Sequence, residues 1–227
     1  MTLTIHNDIE QGSLEWLQAR CGKLCASEMK LVITAKTLKV AADEKVRVHL
    51  YELLAQRIHN HVEPHFESYD MERGKFDEEY ARAKYSEAYA PVTECGFITN
   101  DKWGFTIGYS PDGLVGNDGL IECKSRVQKW QMRTLVEFVA KQEIPDDFII
   151  QVQTGLLVSE REWCDFVSYS GGMMMAVVRC YPDAKIQAAI IEAARNFEER
   201  LADARQVYDD LTASNARLIP TERLIQL

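Results

Sequence analysis

Apolar residues recur every three or four positions in several stretches of the chain, with polar residues between them. Residues 44–60 show this clearly, because Val46, Leu50 and Leu53 fall on one side of a helix. The helix expected at residues 71–90 has a glycine, Gly74, that predicts a local break. The pattern predicts helices over residues 13–22, 26–33, 44–60, 71–90, 128–141, 145–159 and 183–211, with a mobile loop over residues 34–43.

Between residues 92 and 125 the pattern changes to short runs that favour strands. The runs VTECGFIT, KWGFTIGY and LIECKS are separated by Asn-Asp, Pro-Asp-Gly and Asn-Asp-Gly turns, which predicts an antiparallel meander. Two further strands are predicted at residues 162–169 and 175–181. Helices before, between and after these strands indicate an α/β or α+β domain with one central mixed β-sheet flanked by helices.

We expect a single domain over residues 1–227, with its core at residues 11–181 and a C-terminal helix at residues 183–212, because no linker interrupts the chain. No apolar run is long enough to cross a membrane, and the first residues lack the pattern of a secretion signal. We therefore expect a cytoplasmic protein. Its six cysteines form no CxxC pair, which in that compartment indicates reduced thiols rather than disulfides or a zinc site.

The formal charge of −9 is unfavourable for a protein that binds nucleic acid, because phosphates need positive surface. Acidic residues cluster within residues 67–87 and 192–210, which together hold 13 of the 35, so basic surface can form elsewhere. The basic residues that could form such a track are Arg20, Lys23, Lys30, Lys36, Lys39, Lys45, Arg47, Lys124, Arg126, Lys129 and Arg133.

The stretch SPDGLVGNDGLIECKS, residues 110–125, combines two acidic residues with a lysine. Alternate side chains of a strand share a face, so Glu122 and Lys124 would project together while Cys123 points into the core. A Pro-Asp-Gly turn would bring Asp112 back to the same end of the hairpin. Two carboxylates and a carbonyl oxygen suit a hard divalent cation such as Mg²⁺ or Mn²⁺. The alternative is a chance match of common surface residues.

A second group of residues could bind a phosphate group. Ser27 stands where a serine caps a helix, and a helix start with Arg20 nearby could bind a phosphate. An ordinary capping serine and a solvated arginine explain the same two residues. Gln151 and Gln153 interrupt an otherwise apolar helix, so each of them either bonds to backbone or points into the site.

Six short elements follow one another in a fixed order along the chain. They are Trp-x-x-x-Arg, an Ala-Ser-Glu helix start, Gly-Lys-x-x-Glu, Ser-Pro-Asp-Gly, Glu-Cys-Lys and a Gln-Val-Gln helix. In this order, residues 11–159 resemble the lambda exonuclease (YqaJ-like) group of phage recombination nucleases, within the PD-(D/E)xK superfamily. The resemblance implies a restriction-endonuclease-like core. One departure is Thr154-Gly155, where the family often has an aromatic residue.

The resemblance implies a catalytic role for five residues. Asp112 and Glu122 match the metal-binding acids, and the carbonyl oxygen of Cys123 matches the backbone ligand. Lys124 matches the catalytic lysine, and Glu78 matches a helix acid that orients the lysine or a metal-bound water.

Five further residues acquire roles from the same resemblance, and Gln151 is counted with the catalytic residues. Arg20, Ser27 and Ser110 match positions of a pocket for the 5′-phosphate of the strand being degraded. Gln151 is similar to the glutamine of the active site. Met71 falls where the family uses an apolar wedge to separate the terminal base pairs.

The activity that the resemblance implies is a Mg²⁺-dependent exonuclease with two ions, for which Mn²⁺ could substitute. It would digest one strand of double-stranded DNA from its 5′ end, release 5′-mononucleotides and leave a 3′ single-stranded tail. Members of the group form homotrimeric rings and work with a single-strand annealing protein in the cytoplasm of the bacterial host. Two alternatives stay open, an endonuclease of the same superfamily and a non-catalytic DNA-end-binding protein.

Overall fold

Helices and strands are mixed along the whole chain in a computed structural model, which describes residues 2–63, 68–214 and 217–223 without the side chains of residues 70 and 71. The strands are β1 (Leu3–His6), β2 (Leu24–Cys25), β3 (Ile33–Thr34), β4 (Lys39–Val40), β5 (Val92–Thr93), β6 (Phe97–Asn100), β7 (Ile107–Tyr109), β8 (Gly113–Val115), β9 (Gly119–Ser125), β10 (Trp163–Tyr169) and β11 (Ala176–Cys180). The helices are α1 (Leu14–Arg20), α2 (Met29–Val32), α3 (Glu44–His59), α4 (Tyr69–Ala88), α5 (Gln128–Arg133), α6 (Asp146–Ser159) and α7 (Ala184–Ser214). After α5 the helical path continues as a π-helix over Thr134–Phe138 and a 3-10 helix over Val139–Lys141.

The strands form two larger sheets and one small hairpin. The first sheet has the order β11-β10-β9-β8-β5, in which β9 and β10 are parallel and the other neighbours are antiparallel. The second sheet has the order β1-β6-β7-β2, with β2 parallel to β7. β3 and β4 pair separately. The predicted mixed α/β architecture is therefore confirmed.

The five-stranded sheet is covered on both faces, because its central strands carry apolar side chains on both faces. Leu120 of β9 and Phe166 of β10 pack with Ile150 of α6 in the main core. On the opposite face, Ile121 and Cys123 pack with Ala81 and Tyr85 of α4 in a second, smaller cluster. β9 therefore lies between α6 and α4, and each face of this strand presents its side chains to a different helix.

The prediction of one central sheet is wrong, because the expected meander is divided between two sheets. β5 pairs with β8 in the first sheet, whereas β6 pairs with β1 and β7 in the second. Sequence analysis also missed β1, whose residues pair with Phe97–Asn100 from a distant part of the chain. An apolar pattern shows that a segment is extended, but it does not show which segment is its partner.

Three local predictions are also corrected. Residues 34–43 were expected to form a mobile loop, but Ile33 pairs with Val40 in a β-hairpin. α4 runs through Gly74 without a break, since a helix tolerates a single glycine at a modest cost. Ser27 lies in a turn before α2 and is not its N-cap residue, which is Glu28. The other predicted helices are confirmed within a few residues.

All six cysteines are free thiols. Cys25, Cys95, Cys123 and Cys164 are buried, and burial raises the pKa of all six thiols above the ordinary value. Within the described ranges, no helix is long and apolar enough to cross a membrane.

Candidate active site

The hairpin of β8 and β9 brings the two predicted metal-binding acids together. Gly113 pairs with Ile121 in the antiparallel register, so Asp112, which precedes β8, lies opposite Glu122. The Asp112 carboxylate accepts a hydrogen bond from the backbone N–H of Cys123. The predicted return of Asp112 to the strand that carries Glu122 is confirmed.

Glu122 is fully buried, and three donors bind its carboxylate. Lys124 Nζ lies 2.6 Å from Oε1, and the side-chain amide of Gln151 donates to the same oxygen. The Tyr109 hydroxyl donates to Oε2 over 3.0 Å. These contacts confirm that Glu122 and Lys124 project from the same face of β9, and they place Gln151 of α6 in the same cluster.

Negative charge accumulates in this cluster. Burial, followed by the charges of Glu122 and Glu78, raises the pKa of Asp112 well above its ordinary value. Burial also raises the pKa of Glu78, although the charges of Arg82 and Lys124 act in the opposite direction. For Lys124, burial lowers the pKa, but the charges of Glu122 and Asp112 outweigh it, so the pKa is raised overall. Lys124 is therefore an ammonium ion beside two carboxyl groups.

Helix α4 contributes Glu78 and a cation that the sequence analysis did not identify. Arg82 Nη1 donates to the backbone carbonyl of Asp112 over 2.9 Å and lies 3.4 Å from Glu78 Oε1. The other terminal nitrogen of Arg82 lies 3.6 Å from Glu94. Arg82 follows Glu78 by four residues on the same helix face, and this spacing was the only signal in the sequence for their contact.

The donor types of the cluster fit a hard divalent cation. The carboxylates of Asp112 and Glu122 and the carbonyl of Cys123 offer oxygen atoms, and Mg²⁺ commonly takes one or two carboxylates while keeping several waters. The residues that the structure describes form no group of three or more His, Cys, Asp or Glu side chains that could hold a metal ion. A divalent ion would relieve the crowding of negative charge that raises the pKa values of Asp112 and Glu78. The metal site itself stays a prediction.

A small cavity beside the acid cluster collects the residues predicted to bind phosphate. Its volume is about 170 Å³, and it is lined by Trp16, Arg20, Ala26, Ser27, Tyr109, Ser110 and Gln151. Arg20 Nη1 lies 3.4 Å from Ser110 Oγ, and the indole N–H of Trp16 donates to the same oxygen over 2.9 Å. Tyr109 and Gln151 line this cavity and also bind Glu122, so the cavity and the acid cluster are adjacent.

Arg20 is held in place by two neighbours. Its guanidinium carbon lies 4.5 Å from the centre of the Trp16 ring, and Nη2 lies 3.3 Å from Glu28 Oε1. Arg20 and Glu78 also line a larger cleft of about 1140 Å³ between α1 and α4. The cleft therefore reaches one residue of the phosphate cavity, Arg20, and one residue of the acid cluster, Glu78.

Of the two glutamines predicted either to bond to backbone or to point into the site, one does each. Gln151 contacts Glu122. Gln153 instead donates to the carbonyl of Tyr181 and accepts from the N–H of Asp183, so it joins α6 to the start of α7. Met71 belongs to α4, but its side chain lies outside the described part of the chain, and its role as a wedge stays a prediction.

Like Arg82, Trp16 and Tyr109 make contacts in the site that the sequence analysis did not predict. Trp16 was part of a recognised motif, and its spacing of four from Arg20 was a signal for a stacked pair. Tyr109 directly precedes Ser110, but its bond to Glu122 joins strands of two different sheets. No local pattern in the sequence reports a contact of that kind.

Solved structures of exonucleases share this fold. Alkaline exonuclease LHK-Exo from Laribacter hongkongensis matches with a TM-score of 0.71 and 28% sequence identity, over 88% of this chain and 100% of that chain. Its complex with dAMP matches with a TM-score of 0.72 and 29% identity over the same shares. A phage-related exonuclease from Haemophilus somnus 129PT matches in fold, with a TM-score of 0.52 and 15% identity over 84% of this chain and 95% of that chain. The architecture is therefore the restriction-endonuclease-like fold of exonuclease structures.

The family is shown by the sequence itself. Residues 15–162, which include every described element of the candidate site, match the YqaJ-like viral recombinase domain. The chain belongs to this family, and the predicted resemblance is confirmed. No curated protein matches the chain. Family and fold together support a DNA exonuclease role.

Proposed function

We propose that the chain is a Mg²⁺-dependent exonuclease that digests one strand of double-stranded DNA from a 5′-phosphorylated end and leaves a 3′ single-stranded tail. The observation that carries this proposal is the direct junction between the acid cluster and the Arg20 cavity. Gln151 and Tyr109 each contact Glu122 and line that cavity. A 5′-phosphate bound at Arg20 would therefore lie next to the acids that would act on the DNA strand.

Each residue of the acid cluster would have a separate role in hydrolysis of the phosphodiester bond. Asp112, Glu122 and the carbonyl of Cys123 would hold the ion, which supplies Lewis-acid polarisation of the water and of the scissile phosphate. Lys124 is protonated in the metal-free site, so it begins as a donor that orients Glu122 and can neutralise charge developing on the phosphate. Glu78, which Arg82 contacts at 3.4 Å, lies close enough to Lys124 for their charges to interact, so it could orient the lysine or a metal-bound water.

The cavity would set the length of the product. Arg20 offers a guanidinium that matches a phosphate in shape and charge, and the hydroxyls of Ser27 and Ser110 line the same cavity. Its small volume suits one phosphate group, so each cut would release one 5′-mononucleotide. LHK-Exo, which this chain resembles, has been crystallised with dAMP, a nucleotide of that product class.

The proposed partners follow from the same reasoning. A 3′ single-stranded tail is the substrate of a single-strand annealing protein, and we include such a partner in the proposal. With a formal charge of −9, one copy of the chain has little general attraction for DNA. A homotrimeric ring that lines a shared channel with the basic residues of three copies would concentrate positive charge around the duplex.

The experiment uses a linear duplex that carries a 5′-phosphate at one end and a 5′-hydroxyl at the other, with each strand labelled separately. The wild-type protein with Mg²⁺ is expected to degrade the phosphorylated strand first and to release mononucleotides, and EDTA is expected to stop it. Asp112→Asn and Lys124→Ala are expected to lose activity by at least about 100-fold, because each removes a charged group from the reacting centre.

Asp118→Asn is the matched control, since Asp118 lies in the exposed turn of the same hairpin. It is expected to retain wild-type activity. Substantial cleavage by purified Asp112→Asn, or equal rates at both ends of the duplex, would contradict the assignment of the acids or of the phosphate cavity respectively.

A further inference from the structure

A basic and aromatic surface follows β9 directly in the chain. Arg126, Lys129, Trp130 and Arg133 form this surface, which we call the Trp130 surface. Trp130 is 42% exposed, Lys129 Nζ lies 5.3 Å from the centre of its ring, and the Arg133 guanidinium lies 5.8 Å from that centre. An exposed indole flanked by two cations can stack on a nucleobase while the cations contact phosphates.

Arg126 carries an unpaired donor within this surface. Its Nε is buried and meets no acceptor anywhere in the described ranges. Its guanidinium lies 5.1 Å from the centre of the Phe148 ring, and no carboxylate described here forms an ion pair with it. A buried donor without a partner is costly, and a guanidinium is well suited to a phosphate. A phosphate placed at Arg126 could therefore satisfy a donor that has no hydrogen-bond partner among the described residues.

Positive charges also face one another here. Arg133 lies close enough to Arg126 for the two charges to repel, and Asp147 lies close enough to attract both. Glu137 binds Arg133 at 2.8 Å. The acids thus balance Arg133 in part, whereas Arg126 is attracted by Asp147 but forms no ion pair among the described residues. An added phosphate would reduce the repulsion between the two arginines.

The Trp130 surface is continuous with the active site. The centre of the Phe148 ring lies 5.1 Å from the Arg126 guanidinium and 5.8 Å from Lys124 Nζ. Gln151, about one turn further along α6, contacts Glu122 and lines the Arg20 cavity. The order along α6 is therefore the Trp130 surface, the acid cluster and the phosphate cavity. A nucleotide strand with its terminal phosphate at Arg20 could pass the acids and continue onto Arg126.

We propose that the Trp130 surface binds unpaired nucleotides of a DNA strand, with a phosphate on Arg126 and a base stacked on Trp130. The ligand is single-stranded because a base inside a duplex cannot present its face to the indole. This inference rests on the proposed nuclease function, which it extends by assigning a site for the strand next to the scissile bond. It also supplies the local positive surface that the overall charge of the chain lacks.

The test measures binding rather than cleavage. A short oligothymidine with a 3′ fluorophore is titrated with the protein in EDTA, and fluorescence anisotropy is followed at several salt concentrations. Trp130→Ala is expected to weaken binding by roughly 5- to 150-fold, the range for loss of one stacked base. Arg126→Met keeps an apolar contact with Phe148 and removes the charge. It is expected to reduce the slope of log K against log salt by about 0.7, the value for one phosphate contact to a single strand.

Matched controls separate binding from folding. Tyr51→Ala removes an exposed aromatic ring from α3, and Arg195→Met removes an exposed arginine from α7; both are expected to bind as the wild type does. Trp130→Phe keeps a stacking face and is expected to retain affinity within a few fold. Circular dichroism checks that each variant is folded.

The results would separate this inference from the proposed function. Unchanged affinity in Trp130→Ala together with an unchanged salt slope in Arg126→Met would overturn the inference, even if the duplex assay shows exonuclease activity, and would leave the exposed indole for a protein partner. A wild-type protein that does not bind the oligonucleotide would overturn it as well. Binding that depends on both residues would support it, even if Asp112→Asn retained cleavage.

Discussion

Glu122 shows how a single carboxylate is fixed from several parts of the chain. Lys124 reaches it from the same strand, Gln151 from α6 and Tyr109 from the second sheet. Because both oxygens already accept hydrogen bonds, the group cannot rotate freely, and a ligand would meet a preformed acceptor. Lys124 and Gln151 were predicted from short motifs, whereas Tyr109 depends on the pairing of distant strands.

Asp112 should make the stability of the metal-free protein depend on pH. Its raised pKa means that the folded state binds a proton more tightly than the unfolded chain. The free energy of unfolding should therefore fall as the pH rises above the ordinary Asp pKa of about 3.9. Asp112→Asn keeps an oxygen acceptor for the Cys123 N–H and removes the charge. In EDTA at about pH 8, this variant is expected to melt at a higher temperature than the wild type, and the difference should shrink toward about pH 4.

Two controls accompany this measurement. Asp118→Asn makes the same substitution in the exposed hairpin turn and is expected to follow the wild-type melting curve. Mg²⁺ is expected to raise the melting temperature of the wild type more than that of Asp112→Asn, because the ion binds the deprotonated carboxylate. A wild-type melting temperature that stays parallel to that of Asp112→Asn across the pH range would contradict the assigned charge crowding.

At the scale of elements, the backbone of α6 packs tightly against the Tyr109 ring of the site. A Cβ atom added at Gly155 would lie 2.7 Å from Cζ of Tyr109, so the backbone of α6 and the Tyr109 ring leave no room for a side chain. At Gly155, the second residue of the departure Thr154-Gly155, an aromatic side chain therefore has no room. The space that such a residue would need is occupied by Tyr109, which binds Glu122.

Gly155→Ala tests this fit. Alanine favours a helix, but the clash with Tyr109 is expected to dominate and to lower the free energy of unfolding by about 1 to 3 kcal/mol. Displacement of Tyr109 from Glu122 should also reduce the rate of cleavage. Urea denaturation and the duplex assay measure the two effects. Gly74→Ala on α4 is the matched control, because no atom lies within 4 Å of its added Cβ; it is expected to gain up to about 1 kcal/mol.

Several long elements were predicted correctly from the sequence, whereas some short ones were not. Periodicity and turn residues located α3, α6, α7, β9 and β10, because each of these elements buries a long regular face. The same signals failed at β1 and at the β3–β4 hairpin, which are short and depend on their partners. In the site, Asp112, Glu122 and Lys124 are close in sequence and were found together. Arg82 approaches the backbone of Asp112 from α4, and a contact between such distant segments leaves no short motif.

For the molecule as a whole, the proposed function requires a free end. In the proposed function the Arg20 cavity, which adjoins the acids, would hold a terminal phosphate, so a covalently closed circular duplex offers nothing that can occupy it. Such a circle is expected to resist the protein with Mg²⁺, whereas the same plasmid cut once is degraded. Gel electrophoresis over time distinguishes the two, and nicking or linearisation of the circle would favour the endonuclease alternative.

The parallel pairing of β9 with β10 has a consequence for the assembly of the protein during synthesis. The chain must pass through α5 and α6 before Trp163–Tyr169 can join the strand that carries Glu122 and Lys124. A nascent chain that ends before this point contains every charged residue of the cluster but lacks the neighbour that completes the sheet. Contacts over such a sequence separation form slowly, so nuclease competence should arise late, after translation has passed β10.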